Sequence, residues 1–288
     1  MADAILAPEV EARPRRQALR TFLANRPAAI GAVVALVIVL VAILAPLLTP
    51  YQPLREAGKP LTAPSLGHPF GTDDLARDVL SEVLYGARAS LVIGFTASVI
   101  ATVVGVAVGA VAGFFGGLVD EALMRCTEVF QIIPRIFLVI LLVALFGQNL
   151  LVTTISIGIL SWPPIARVLR AEFLSRREAE YVLAARVIGA SKLHLIVREV
   201  LPNAIGPVIV IASLNVGNAI LLDASLAFLG LSDPNLPSLG RMLQSALTLI
   251  QSAWWVGVFP GAVVALLVLA TNLIGDGISD VLNPRLHR

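Results

Sequence analysis

Five stretches of the chain contain no Asp, Glu, Lys or Arg: 28–48, 89–119, 136–166, 204–222 and 254–274. Each is long enough, as a helix, to cross a hydrocarbon layer of about 30 Å, which takes about 20 residues. The third is interrupted by Phe146-Gly147-Gln148-Asn149, a turn-like polar break, and so divides into spans at 129–146 and 150–166. That makes about six transmembrane helices. The runs are apolar on every side, without the alternation a membrane β-barrel needs, and lipid offers backbone groups no partners, so the chain is predicted to be an all-α membrane protein. Composition agrees: 57% of residues are hydrophobic and 14% charged, against roughly 25% charged in an ordinary soluble domain.

Six spans put both termini on one side, and the cationic residues choose which. Sixteen Lys and Arg, among them Arg125, Arg135, Arg167, Arg170 and Arg177, fall on one side, and only Arg55, Lys59, Arg77, Arg88 and Arg241 fall on the other. The positive-inside rule makes the first side cytoplasmic. The expected organisation is a cytoplasmic tail at 1–27, a first span at 28–48, a periplasmic segment at 49–88, a membrane core at 89–276 with a cytoplasmic loop at 167–203, and a cytoplasmic tail at 277–288. The first apolar run exceeds the 7 to 15 residues of a signal-peptide core and is kept as a permanent span. Net charge is only +2 with the arginines beside the spans, so topology explains them and nucleic acid is not an expected partner. Cys126 is the single cysteine, which excludes an intrachain disulfide.

Gly105, Gly109, Gly113 and Gly117 recur every four residues in the second span. They strip one helix face of side chains, so that another helix can approach closely. Pro163-Pro164 removes two backbone donors and predicts a kink or helix end. Thr72-Asp73-Asp74 reads as a helix N-cap with favourable acidic residues. Trp254 and Trp255 stand where an interfacial aromatic belt is expected.

Catalytic signals are missing. Neither Lys59 nor Lys192 sits in the Gly-x4-Gly-Lys-Ser/Thr pattern that cradles a nucleotide phosphate. His68, His194 and His287 are far apart and lack metal-ligand spacing, so no metal site is expected. Ionisable groups are scarce in the spans, where proton-coupled carriers need them. Asp223 is the one acidic candidate, and Asn215 and Asn218 precede it on the same span. All three are candidates for lining a pathway. Counted from Ala204, Asp223 lies about 28 Å along a helix, near the outer surface, which favours a solvated or helix-packing role for it over a pathway-lining one.

The most informative segment is 178–203. Tyr181, Ala184, Ala185 and Ile188 follow i, i+3, i+4, i+7 helical spacing, and Leu193, Ile196, Val197 and Val200 repeat it. Gly189 supplies the stop between them and Pro202 the end. The apolar face of such a hairpin needs a receiver, either a groove on another protein or the surface of the bilayer.

This segment resembles the cytoplasmic signature of the inner-membrane permeases of ATP-binding-cassette (ABC) importers: Glu-Ala-Ala, three residues, Gly, nine residues, Ile, one residue, Leu-Pro. Ala184-Ala185, Gly189 and Leu201-Pro202 stand at matching places, with Leu183 for the Glu and Glu199 for the Ile. Matches to the dipeptide, oligopeptide and nickel branch extend over most of the chain from His68 onward. They include His68-Pro69-Phe70-Gly71-Thr72-Asp73-Asp74, Ala224-Ser225-Leu226-Ala227-Phe228-Leu229-Gly230, Asn272-Leu273-Ile274-Gly275-Asp276-Gly277 and Asn283-Pro284-Arg285-Leu286. Asp223 stands where that family usually has Glu.

The resemblance implies a type I importer permease fold in a bacterial inner membrane, and uptake of peptides or a related small solute such as nickel. It implies no cofactor in this chain. ATP and Mg would be held by two partner ABC ATPase subunits, alongside a second homologous permease and a periplasmic substrate-binding protein. Tyr181, Ala184, Ala185, Ile188, Gly189, Leu201 and Pro202 would then couple to the ATPases. An ion-coupled secondary transporter is the alternative, and would need intramembrane ionisable groups and inverted repeats that the sequence lacks.

Overall fold

The computed structural model describes residues 15–282, with side chains from Arg20 onward. Residues 283–286, which carry the last family match, lie outside the described residues. Helices run in the order α1 (Arg15–Ala24), α2 (Arg26–Ile43), α3 (Ala45–Leu48), α4 (Val79–Phe115), α5 (Gly117–Ile132), α6 (Arg135–Phe146), α7 (Leu150–Ile159), α8 (Pro163–Arg176), α9 (Glu180–Val187), α10 (Lys192–His194), a π-helical turn (Leu195–Val200), α11 (Leu201–Ala204), α12 (Gly206–Phe228), α13 (Leu239–Leu249) and α14 (Trp255–Leu282). Among the described residues β-structure is limited to two isolated bridges, Glu56–Arg77 and Thr72–Asp78.

Five units are long and apolar enough to cross a membrane: α2, α4, the α7–α8 pair, α12 and α14. The α5–α6 pair makes a sixth if taken as one span, but it bends by 81°. The bend falls at Ile133-Pro134, where proline disfavours helix in the residue before it. The span expected at 129–146 is therefore the twelve-residue α6 preceded by a sharp elbow. Pro163-Pro164 acts as the sequence suggested: α7 stops at Ile159, and the prolines open α8 where missing N–H groups cost nothing.

α4 begins ten residues before the expected span. Its N-cap is Asp78, whose Oδ2 accepts from the Ser81 N–H (2.9 Å) and the Ser81 hydroxyl (2.7 Å). Thr72-Asp73-Asp74 is thus not a cap, and belongs to the loop that α4 rises from. The Asp73 Oδ1 accepts from the N–H groups of Leu75 (2.9 Å) and Arg77 (2.7 Å). Burial pushes the Asp73 carboxyl above the usual carboxylate range, against the downward pull of those N–H groups and the Arg77 guanidinium. His68 Nδ1 meets Asp78 Oδ1 at 2.9 Å, and Phe70 stacks on Phe259 at 3.9 Å. Trp255 is buried here and donates its Nε1–H to the Thr72 carbonyl (3.0 Å), so of the expected aromatic belt only Trp254 is exposed.

The core has three parts along the bundle. At the end bearing the 49–78 loop, the first turns of α4 pack with α12, α13 and α14. At mid-length, α4 meets α6, α7 and α12. At the other end, α4 and α8 pack with the hairpin of α9 to α11. α2 lies against α14, and Asn25, which caps α2, also donates to Asp280 Oδ2 (2.5 Å) near the end of α14. α14 continues to Leu282, so residues 277–282 are helix rather than tail.

Candidate functional site: the α9–α11 hairpin and the polar groups of the bundle

α9 ends on Gly189, whose φ of +90° is the left-handed conformation that a β-carbon disfavours. The Gly189 N–H bonds to the Arg186 carbonyl and the Ala190 N–H to the Ala185 carbonyl, both at 3.1 Å. That pair satisfies the two orphan carbonyls as a Schellman turn does. Ser191 then caps the second arm, accepting from the His194 N–H. The arm continues through the π turn, in which the Leu201 N–H reaches the Ile196 carbonyl. A π turn is the accommodation expected just ahead of Pro202, which has no N–H and whose ring crowds the carbonyl four residues back. Pro202 therefore opens α11 instead of ending the hairpin.

The π turn also reassigns the faces. Val182, Leu195 and Val200 are buried against Ile165, Leu169 and Phe173 of α8, with Ala185, Ala190, Ile196 and Leu201 half-buried beside them. Tyr181 (40% exposed), Val187 (86%), Ile188 (86%) and Leu193 (70%) point away, as do Ala184, Gly189 and Pro202. The two sequence-derived stripes are thus each divided: part anchors the hairpin, and part forms an unpartnered apolar surface. A β-carbon at Gly189 would meet nothing within 4 Å. A side chain there would not wedge between the arms, and its cost lies in backbone conformation alone.

Three of the four ladder glycines form one contact. A β-carbon on Gly105 would lie 2.7 Å from Ile165 Cβ, on Gly109 2.5 Å from the Ala166 carbonyl oxygen, and on Gly113 2.5 Å from Phe173 Cβ. The approaching helix is α8 of the same chain, so the ladder knits this subunit internally. Gly117 is not part of it: α4 ends at Phe115, and Gly117, with φ of +54°, faces nothing within 4 Å. Beside the ladder Arg170 of α8 makes a two-pronged salt bridge to Asp120 of α5, and the Arg177 Nη1 donates to the Gly113 carbonyl (3.3 Å).

The three pathway candidates are not gathered at one place. Asp223 is buried and accepts from the Ser90 hydroxyl of α4 at 3.1 Å. It borders a cavity of about 20 Å³ with Thr153, Asp233 and Ser238, enough for one water molecule, which neither Asn215 nor Asn218 lines. Asp223 is thus packed against α4 rather than exposed on the surface. Asn215 is buried with its Nδ2 unpaired, and Asn218 is exposed.

Arg135, counted in the sequence with the cytoplasmic charges, has a packing partner that the sequence did not indicate. It opens α6, and its Nη1 donates to the Ser161 hydroxyl (3.0 Å) in the α7–α8 break.

Among known proteins, residues 105–288 match the family described as binding-protein-dependent transport system inner membrane component, and residues 13–64 match the N-terminal TM domain of oligopeptide transport permease C. The dipeptide transport system permease protein of Haemophilus influenzae is 37% identical over 275 residues, covering 93% of each chain. That of Alkalihalophilus pseudofirmus is 40% identical over 227 residues, covering 78% of this chain and 75% of its own. A solved structure of the MetNI methionine ABC transporter, described as inward facing, superposes with a TM-score of 0.58 at 18% identity, covering 70% of this chain and 96% of that one. That likeness establishes the fold.

Proposed function

The chain belongs to the binding-protein-dependent transport system inner membrane components, and from that premise we propose that it moves dipeptides or other short peptides inward, driven through the α9–α11 hairpin. It is a membrane-embedded permease subunit of an ABC importer, a translocation subunit rather than an enzyme. The peptide cargo follows from the relatives' names, and the orientation from the sixteen-to-five charge asymmetry: termini and hairpin cytoplasmic, the 49–78 loop periplasmic, in a bacterial inner membrane. In this reading a second permease completes the pathway, two ATPase subunits bind ATP and Mg, and a periplasmic binding protein delivers the solute.

The observation that carries the mechanical part is the two-sided hairpin. One side is built into the core through Val182, Leu195 and Val200, while Tyr181, Val187, Ile188 and Leu193 stand unpartnered. An apolar face of this kind fits a groove on the ATPase. The Schellman turn and the π turn fix the angle between the arms, and α8 and α12 continue from the two ends of the hairpin. When ATP closes the ATPase pair, the hairpin is carried along, and the glycine-packed α4–α8 pair tilts with it as one body. The pathway thereby changes the side to which it opens.

The test is uptake of a labelled dipeptide into vesicles holding the two permeases, with binding protein outside and ATP inside, in the presence and absence of the ATPase subunits. Uptake should require them. Uptake that persisted without them, driven by an ion gradient, would overturn the reading.

A further inference from the structure

Beside the 49–78 loop lies a polar cavity of about 260 Å³, at the end of the bundle opposite the hairpin. Asp73, Asp74 and Arg77 of the loop border it, with Glu82 from the first turn of α4 and Arg241 and Ser245 from α13. Three carboxylates thus face two guanidiniums. Arg241 directs its donors to the backbone, giving Nη2–H to the Leu236 carbonyl (2.7 Å) and Nη1–H to that of Pro234 (3.4 Å).

The decisive group is Glu82. It is 5% exposed, its Oε1 accepts from Arg77 Nη1 only at 3.5 Å, and its Oε2 has no hydrogen bond among the described residues. A carboxylate so buried is costly unless it is well paired, and here it borders open volume instead of a close partner. Asp74, exposed at the rim, has no ion pair among the described residues either. No three His, Cys, Asp or Glu side chains converge as metal ligands among those residues. The volume suits an ammonium or guanidinium head on its methylene stem.

The rim is tied down before anything binds. Backbone bridges join Glu56 to Arg77 and Thr72 to Asp78, and between them Ala76 is held at a φ of +60°. Leu75, next to Asp74 and 53% exposed, offers an apolar surface along which such a stem can lie. A pre-formed rim loses little freedom on docking.

We propose that this cavity is a socket for a basic side chain, Lys or Arg, projecting from the surface of the periplasmic binding protein, with Glu82 meeting the cation inside and Asp74 at the mouth. This rests on the importer reading above, which puts the loop outside and brings the binding protein to it. Opposed charges of this kind set the register of a docked partner. Because the socket joins the loop to α4 and α13, a seated cation also ties three elements together at that end of the bundle.

The test titrates dipeptide-loaded binding protein into vesicles holding the permeases and the ATPase subunits, and reads the concentration that gives half-maximal uptake at low and high salt. Asp74→Asn and Glu82→Gln should each raise that concentration by about tenfold, the equivalent of about 1.4 kcal/mol. The maximal rate should hold, and the dependence on salt should flatten. Replacing the surface Lys and Arg residues of the binding protein one at a time should find one whose loss weakens docking to the wild type and adds nothing in Glu82→Gln. Should Glu82→Gln fail to reach the membrane, Asp74→Asn decides alone. Unchanged half-saturation overturns the proposal, as does a fall in maximal rate with half-saturation unmoved. A shift that appears only in the peptide concentration needed, at saturating binding protein, would assign the cation to the solute and overturns it too. Wild-type uptake that needs no binding protein at all would overturn the importer reading and the socket with it, a failure seen before any variant is compared.

Discussion

At the scale of single residues, Gly189 and Asp73 make opposite demands on a side chain. The φ of +90° at Gly189 admits a β-carbon only at a cost of roughly 1–2 kcal/mol. Open space around it means that no clash adds to this. Gly189→Leu should therefore insert normally and still disturb the angle between α9 and α10, showing ATP hydrolysis that is no longer matched by uptake. Uptake and stimulated hydrolysis both at wild-type level would remove the turn from the coupling mechanism. Asp73 has a pKa raised by burial, so its ionisation works against the folded loop: stability is highest at low pH and falls as pH rises through the folded-state pKa. Asp73→Asn keeps an oxygen for the Leu75 and Arg77 N–H groups and carries no charge. At neutral pH it should be as resistant to thermal unfolding as wild type or more so, and a lower melting temperature would contradict the account.

At the scale of elements, the glycine ladder gives the sharpest expectation. Gly109→Leu pushes a side chain into the Ala166 backbone of α8, where overpacking costs roughly 1–3 kcal/mol. Because the contact is internal, the variant should melt lower even as an isolated subunit in detergent. A normal melting temperature paired with failed association to the second permease would assign the ladder to assembly instead. Elements of this kind were legible in the sequence to the extent that one local rule governs them. Uncharged runs located α2, α4, α12 and α14, and Gly189 marked the hairpin turn. The beginning of α4 was not legible, because its first turns carry Glu82 and Arg88 and are buried against α12, α13 and α14 rather than by lipid, so a search for uncharged runs misses them. Nor were the outward and inward faces of 192–201: a π turn breaks the 3.6-residue period from which faces are read. Gly117 carried the right spacing on the wrong side of a helix end.

For the whole molecule, orientation is an expectation with a direct check. In a Cys126→Ser background, an impermeant thiol reagent applied to intact cells should label Leu66→Cys, which is fully exposed on the 49–78 loop, and spare Glu178→Cys beside the hairpin. Labelling of the second and not the first would invert the topology. The parts then cohere: spans that keep the chain in the bilayer, a loop folded over one end, and a hairpin at the other that is half core and half contact surface. The central claim is that this contact surface transmits the work of the ATPases, and Ile188 tests it most directly. It is 86% exposed and touches no core cluster, so Ile188→Asp leaves the subunit's own packing intact. An apolar side chain buried in a partner's groove is worth about 1.5–3 kcal/mol, and a buried carboxylate costs more on top. Uptake and co-purification of the ATPase subunits should both fall by about tenfold or more, with the amount of subunit in the membrane unchanged. Wild-type uptake by Ile188→Asp would contradict the account.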